Sequence, residues 1–271
     1  MLVLLPPSEG KTVPDAGPAV SLPDLSFDAL TPQRRAVLAA LAAASARADA
    51  LSVLGVGAGV ADDVARNLTL ADAPTAPASA VYTGVLYAAA GLGDLTPAQA
   101  RRAAEGVLTI SALWGAVSPT DLIPAYRLSM GTDLPGVGKL ATTWRPHLAA
   151  ALDARATGDV VVDCRSAAYA AAWPAPAGAD WVAVKVLREV DGRRSVVSHN
   201  AKHTRGVLTG HLLRRRAAPP TTADGLLRAA RELVGTTVGT AIGTGLASRM
   251  VEANLLDAPR RGPRTLELVV S

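Results

Sequence analysis

The sequence predicts a mixed α/β fold, one compact domain over residues 1–271 with a mixed sheet and flanking helices, and three observations carry that reading. Short apolar runs at residues 1–5 (MLVLL), 106–111 (GVLTIS) and 159–163 (DVVVD) have the length and Val/Leu content of buried strands. Ala/Arg-rich stretches of helical length separate them. Asp191-Gly192 divides two further strand-like runs, Asp180 to Val190 and Arg193 to His199, as a two-residue hairpin does. No internal repeat and no linker composition splits the chain.

Taken in order, Met1 to Leu5 reads as a buried strand running into Pro6-Pro7. The polar loop Ser8-Glu9-Gly10-Lys11 then follows at a strand's carboxyl end, where α/β proteins place site residues. Gly10-Lys11-Thr12 is no phosphate-binding P-loop, because Leu5 stands where the motif's first glycine belongs and Pro14 forbids the helix. Thr31-Pro32 opens a helix expected to reach about Asp49. Gly55, Gly57 and Gly59 mimic a dinucleotide fingerprint, but the third glycine is displaced and no acid ends a strand downstream, so a helix-loop-helix join is expected. Thr96-Pro97 starts the next helix and GVLTIS the next strand.

From Ser111 to Gly131 the chain gathers Trp114, Asp121, Tyr126, Arg127 and Met130, a dense group in a sequence with only nine aromatic residues. Leu134-Pro-Gly-Val-Gly-Lys139 has the look of the hairpin in a helix-hairpin-helix, whose amides grip one nucleic-acid phosphate. A helix is expected from Trp144 to about Arg155 with Pro146 in its first turn, then a strand ending at Asp163, Arg165 and Ser166, and a short helix bearing Tyr169. After the hairpin come a basic helix, a helix from about Thr222 to Leu233, a glycine-rich stretch near Gly235 to Gly245 and a last strand at Thr265 to Val270.

Charge is local. Nine Lys/Arg fall between Lys185 and Arg216 against Glu189 and Asp191, whereas the whole chain is only +4, so the remainder is mildly negative. Such a patch draws polyanions. Within it Lys202 and Arg205 share a helix face, and Ser198 or Asn200 is placed to cap that helix. Gly206 and Gly210 suggest close backbone approach. One cysteine, Cys164, excludes an internal disulfide and a Cys-rich metal site, and it is expected to be a core residue. No metal or cofactor is expected. The first residues lack a basic region ahead of an apolar one and no run is long enough to span a membrane, so a cytoplasmic protein is expected.

MLVLLPPSEGKT, VYTGVLY, ISALWGAVSPTDLIPAYRLSMG, VVDCRSAAY and SHNAKHTRG together resemble the YaaA family of peroxide-stress proteins. The resemblance implies one α/β fold with a helix-hairpin-helix-like element and a positively charged cleft, DNA binding, and a part in limiting iron-driven oxidative damage. It places Lys11, Tyr82, Trp114, Asp121, Tyr126, Arg127, Met130, Lys202, Arg205 and Gly206 on motif positions, and it gives no support to a metal site at His199 and His203.

Two functions stay open. In the first, duplex or distorted DNA lies on a basic cleft, with Ser8, Lys11, Arg127, Lys202, Arg205, Gly206, Arg214, Arg215 and neighbouring Arg216 facing phosphates and Tyr82, Trp114 or Tyr126 offering a stacking face. In the second, an enzyme acts on a nucleotide or other phosphate-bearing small molecule, with Glu9 or Asp121 as base, Lys11, Arg127 and Lys202 holding the anion, and Tyr126 in the same site.

Overall fold

Leu2–Leu5 (β1), four apolar residues all buried, is the centre of the molecule. In the computed structural model, which describes residues 1–196, 199–240, 247–258 and 262–271, it pairs in parallel with strands on both sides. On one side lies Val107–Ser111 (β2), followed by antiparallel Gly115–Val117 (β3). On the other lie parallel Val160–Asp163 (β4) and Asp180–Val190 (β5). Arg193–Val196 (β6) hairpins back onto β5, and Asp191 and Gly192 both take the positive φ that the two-residue turn requires, 51° and 72°.

Three strands extend the far edge. Thr237–Thr240 (β7), Ala247–Leu256 (β8) and Arg264–Val270 (β9) complete the order β7-β8-β9-β5-β4-β1-β2-β3, a nine-stranded sheet once β6 is counted on β5. β9 runs parallel to β5, and β8 and β7 run antiparallel. The sequence signal for β8 is faint because a bulge between Met250 and Glu252 breaks its alternation, so the buried residues Met250 and Ala253 stand three apart.

Seven helices matter to the argument: Thr31–Ser45 (α1), Val85–Ala90 (α2), Pro97–Gly106 (α3), Leu140–Ala156 (α4), Ala167–Ala172 (α5), His199–Arg214 (α6) and Ala223–Arg231 (α7). Helix α1 ends four residues short of the expected Asp49. Helix α4 begins four residues before the expected Trp144 and carries Pro146 in its interior. There the buried stripe Leu140, Trp144, Leu148, Leu152 and Ala156 at spacing i, i+4 outweighs the one backbone hydrogen bond that proline removes.

The hairpin expected at Leu134 to Lys139 is present as paired Asp133–Leu134 and Gly138–Lys139, and α4 follows it directly. The segment before it, residues 124–129, is extended loop. Ser198 and the side chain of Asn200, the expected caps of α6, lie outside the described residues.

Helix α6 sits against α2 with almost no spacer. A Cβ on Gly206 would stand 2.2 Å from the Leu86 carbonyl oxygen, and one on Gly210 2.8 Å from that of Ala90. Only glycine permits this approach, and it brings the first turns of α6 to the carboxyl ends of β1 and β4.

Candidate functional site

Those two strand ends are the topological switch point of the sheet. From β1 the chain crosses to β2 on one side, from β4 it crosses to β5 on the other, and the connections leave a crevice between the adjacent carboxyl ends. A recess of about 260 Å³ opens there, walled by the β1 loop, residues 127–129, Cys164, Ser166, Tyr169, Lys202 and Arg205. A second recess of about 280 Å³ shares Pro6 to Glu9, Leu86 and Lys202 with it and reaches the start of α2.

The β1 loop is held by hydroxyls. Tyr87 Oη donates to the Pro6 carbonyl oxygen at 2.8 Å, and Ser8 Oγ accepts from the Thr83 amide at 2.9 Å. Lys11 bridges to Tyr82 through its backbone and turns Nζ back to the Ser8 carbonyl oxygen at 2.8 Å. That amine stands 4.3 Å from the centre of the Tyr126 ring and 5.7 Å from that of Tyr82. Behind them Tyr82 Oη and Tyr126 Oη lie 3.0 Å apart, and Tyr126 Oη reaches Ser111 Oγ at 2.7 Å. Burial raises all three phenols, Tyr82, Tyr87 and Tyr126, above their ordinary range, so this wall is neutral.

Electrostatically the recess is one-sided. Arg127 is fixed by its backbone, since Asn67 Nδ2 donates to its carbonyl oxygen and its amide donates to Asn67 Oδ1, each at 2.9 Å. Among the described residues its guanidinium has the loose company of Glu9, 3.6 Å away with a side chain 82% exposed. Arg205 anchors through Nε and Nη2 to the Val184 carbonyl oxygen, at 3.1 and 2.7 Å, and among the described residues no carboxylate pairs with it. Lys202 is exposed on the same helix face, one turn before it. Burial, and next the Arg127 charge, bring the Lys11 ammonium down to about 7.

The neighbouring strand end shows the opposite treatment of charge. Arg165 is buried and bidentate to Asp163, at 2.8 and 2.7 Å, and also donates to the Trp173 carbonyl oxygen at 2.8 Å. Burial alone would raise the Asp163 carboxyl, but Arg165 holds it below its usual value. Cys164 lines the recess as an inert thiol, pushed by burial up to about 12.

Of the residues proposed from sequence, Ser8, Glu9, Lys11, Arg127, Lys202 and Arg205 converge here. Six others do not. Asp121 is a loop staple, its carboxylate accepting from Ser26 Oγ at 2.8 Å and the Ser118 amide at 2.9 Å. Trp114 is fully buried, and Tyr82 and Tyr126 nearly so, which leaves no face for a base. Gly206 is a helix-packing residue. Arg214 donates to the carbonyl oxygens of Ala90 and Gly91, at 2.8 and 2.7 Å, and Arg215 is paired with Glu232. Met130, a motif position, is core as well.

Tyr169, Ser129 and Ser166 belong to the recess and were missed. The signal that could have found them is the position of Ser166 and Tyr169 just past a strand end. Among the described residues no three His, Cys, Asp or Glu side chains gather as a metal would require, and no helix is long and apolar enough to cross a membrane.

Fold and site together define a mixed α/β protein with a recess at the switch point of its sheet whose lining includes Lys11, Arg127, Lys202 and Arg205. The chain belongs to the family of the peroxide stress protein YaaA, whose family model matches residues 1–230. It is 45% identical over 238 residues to a UPF0246 protein of Streptomyces coelicolor, covering 86% of this chain and 90% of that relative. A UPF0246 protein of Corynebacterium efficiens is 40% identical over 233 residues, covering 85% of this chain and 92% of its own.

Proposed function

We propose that this peroxide-stress protein binds and acts on a phosphate-bearing small molecule, such as a nucleotide, in the recess between β1 and β4. The observation that carries this reading is the convergence of Lys11, Arg127, Lys202 and Arg205 on one recess, with no carboxylate among the described residues bound tightly to any of them. A cationic concavity with hydroxyls on its rim, here Ser129, Ser166 and Tyr169, matches a compact anion. Arg127, Lys202 and Arg205 supply the charge that faces phosphate. Lys11 changes protonation near neutral pH and so is able to accept a proton.

DNA binding, the other expectation, rests on an exposed basic track, with stacking faces where bases are unpaired. The three aromatic candidates are core residues, and Arg214 and Arg215 are already engaged. Ligand size separates the two readings. Nucleotides or pyrophosphate, at about a hundred times the dissociation constant, are expected to stabilise the protein by about 2.7 kcal/mol, a rise of roughly 5–10 °C in melting temperature. Duplex DNA is expected to give no salt-dependent anisotropy change. Tight duplex binding without a nucleotide-induced shift reverses the conclusion.

A further inference from the structure

Lysine is rare in this chain. Only four of its 27 basic residues are lysines, Lys11, Lys139, Lys185 and Lys202, and two of the four line the same recess. Where a fixed positive charge suffices, this sequence mostly uses arginine. Arginine cannot lose its proton at physiological pH, whereas lysine can, and only a neutral amine is a nucleophile.

The surroundings of Lys11 suit that use. Nζ lies 4.3 Å from the Tyr126 ring centre and 5.7 Å from that of Tyr82 and donates to the carbonyl oxygen of Ser8 at 2.8 Å, while Glu9, the acid nearest in sequence, has its carboxylate on Arg127 instead. The charged groups that act on it are Arg127, which opposes protonation, and Asp63 and Glu9, which favour it less than burial and Arg127 oppose it. The amino-terminal amine of Met1, by contrast, is paired directly with a carboxylate, that of Asp159 at 2.5 Å.

Resting on the reading of the recess as a phosphate site, we infer that Lys11 is a nucleophilic amine that condenses with the carbonyl group of a phosphate-bearing aldehyde or ketone. The Nζ lone pair forms a bond to the carbonyl carbon as the C=O π pair moves to oxygen. One amine proton passes to that oxygen through water, giving a carbinolamine. The nitrogen lone pair then expels the hydroxyl, which leaves as water after taking a proton from solvent, and an iminium remains on Lys11. No oxidant or reductant is consumed. Arg127, Lys202 and Arg205 hold the phosphate of the same molecule, which fixes the carbonyl within reach.

The test uses pyridoxal 5′-phosphate as a phosphorylated aldehyde probe, with unphosphorylated pyridoxal as its control, borohydride reduction to trap the imine, and peptide mapping over four lysines and the terminal amine. At pH 7 Lys11 is expected to label more than tenfold faster than each of the other lysines, the net of a roughly thousandfold larger neutral fraction and the lower nucleophilicity of a weaker base. Pyridoxal is expected to label it more slowly, and pyrophosphate to compete only with the phosphorylated probe. Lys11→Arg, checked for an unchanged circular dichroism spectrum, is expected to lose the label.

Equal labelling of all lysines, or an undiminished adduct in Lys11→Arg, overturns the inference. If pyrophosphate raises the melting temperature of the wild type yet Lys11 stays unlabelled, the amine chemistry is wrong and the phosphate site stands. If Lys11 labels equally with both aldehydes and pyrophosphate shifts nothing, the phosphate site is wrong instead.

Discussion

Two cationic regions of this protein look alike in sequence and differ in what their charges face. On the hairpin and the end of α6, Arg194 is paired with Glu189 and Glu252, Lys185 with Glu267, and Arg215 with Glu232. At the carboxyl ends of β1 and β4, Lys11, Arg127, Lys202 and Arg205 gather with the exposed Glu9 loosely opposite and Asp63 acting on Lys11 from a distance, and among the described residues no carboxylate pairs closely with them. Counting basic residues points to the first region. Asking which charges lack a close partner points to the second, because self-repulsion among neighbouring cations is tolerated where an incoming anion relieves it.

The strongest break in this comparison is expected at Arg165, a cation at the same strand end that is spent on structure. Arg165→Met leaves Asp163 buried and uncompensated, and should cost about 3–5 kcal/mol in urea denaturation. A loss under about 1 kcal/mol would mean that this pair is not fixing the loop.

Lys11 offers the reverse sign. Its folded pKa is about 7 and its unfolded value about 10.4, so between those pH values the unfolded chain binds more protons and stability climbs as pH rises. Lys11→Met lacks that climb. It should be more stable than wild type below pH 7, by roughly 1–4 kcal/mol, with the gap closing toward pH 10. Urea midpoints of both proteins at pH 6 and pH 10 provide the double difference, and parallel pH profiles would count against a strained amine.

A smaller effect is expected from Gly206→Ala, since the added carbon meets the Leu86 carbonyl oxygen. A cost of about 1–3 kcal/mol follows, with weaker anion binding as α6 withdraws Lys202 and Arg205. The smallest belongs to the paired region. Arg194→Gln should change stability by about 0.5 kcal/mol or less and leave anion binding alone.

Much of the fold was legible because its signals are local. Leu2–Leu5, Val107–Ser111 and Val160–Asp163 are short apolar runs, and Asp191-Gly192 can hardly be anything but a tight turn. The bulged strand Ala247–Leu256 was hidden because one extra residue erases alternation, and the start of α4 because Pro146 suggests a boundary that packing overrules. In the site, Ser8, Lys11, Lys202 and Arg205 could be read from position and charge. Trp114, Tyr126 and Asp121 misled because residues that build the wall behind a pocket carry the same side chains as residues that face into it. Buried Arg34, which donates to the carbonyl oxygens of Trp114 and Ala116 at 2.9 Å, gives no sequence signal of its role. Nor do the partners of the hairpin cations Lys185 and Arg194, since Glu267 and Glu252 lie far along the chain.

The claim that unpaired rather than numerous cations make the site is tested most directly by calorimetric titration of pyrophosphate into two double variants. Arg127→Gln with Lys202→Gln should abolish binding, while Arg194→Gln with Arg215→Gln, which removes the same formal charge from the paired region, should bind as the wild type does. Equal losses in both variants, scaling with net charge alone, would contradict it.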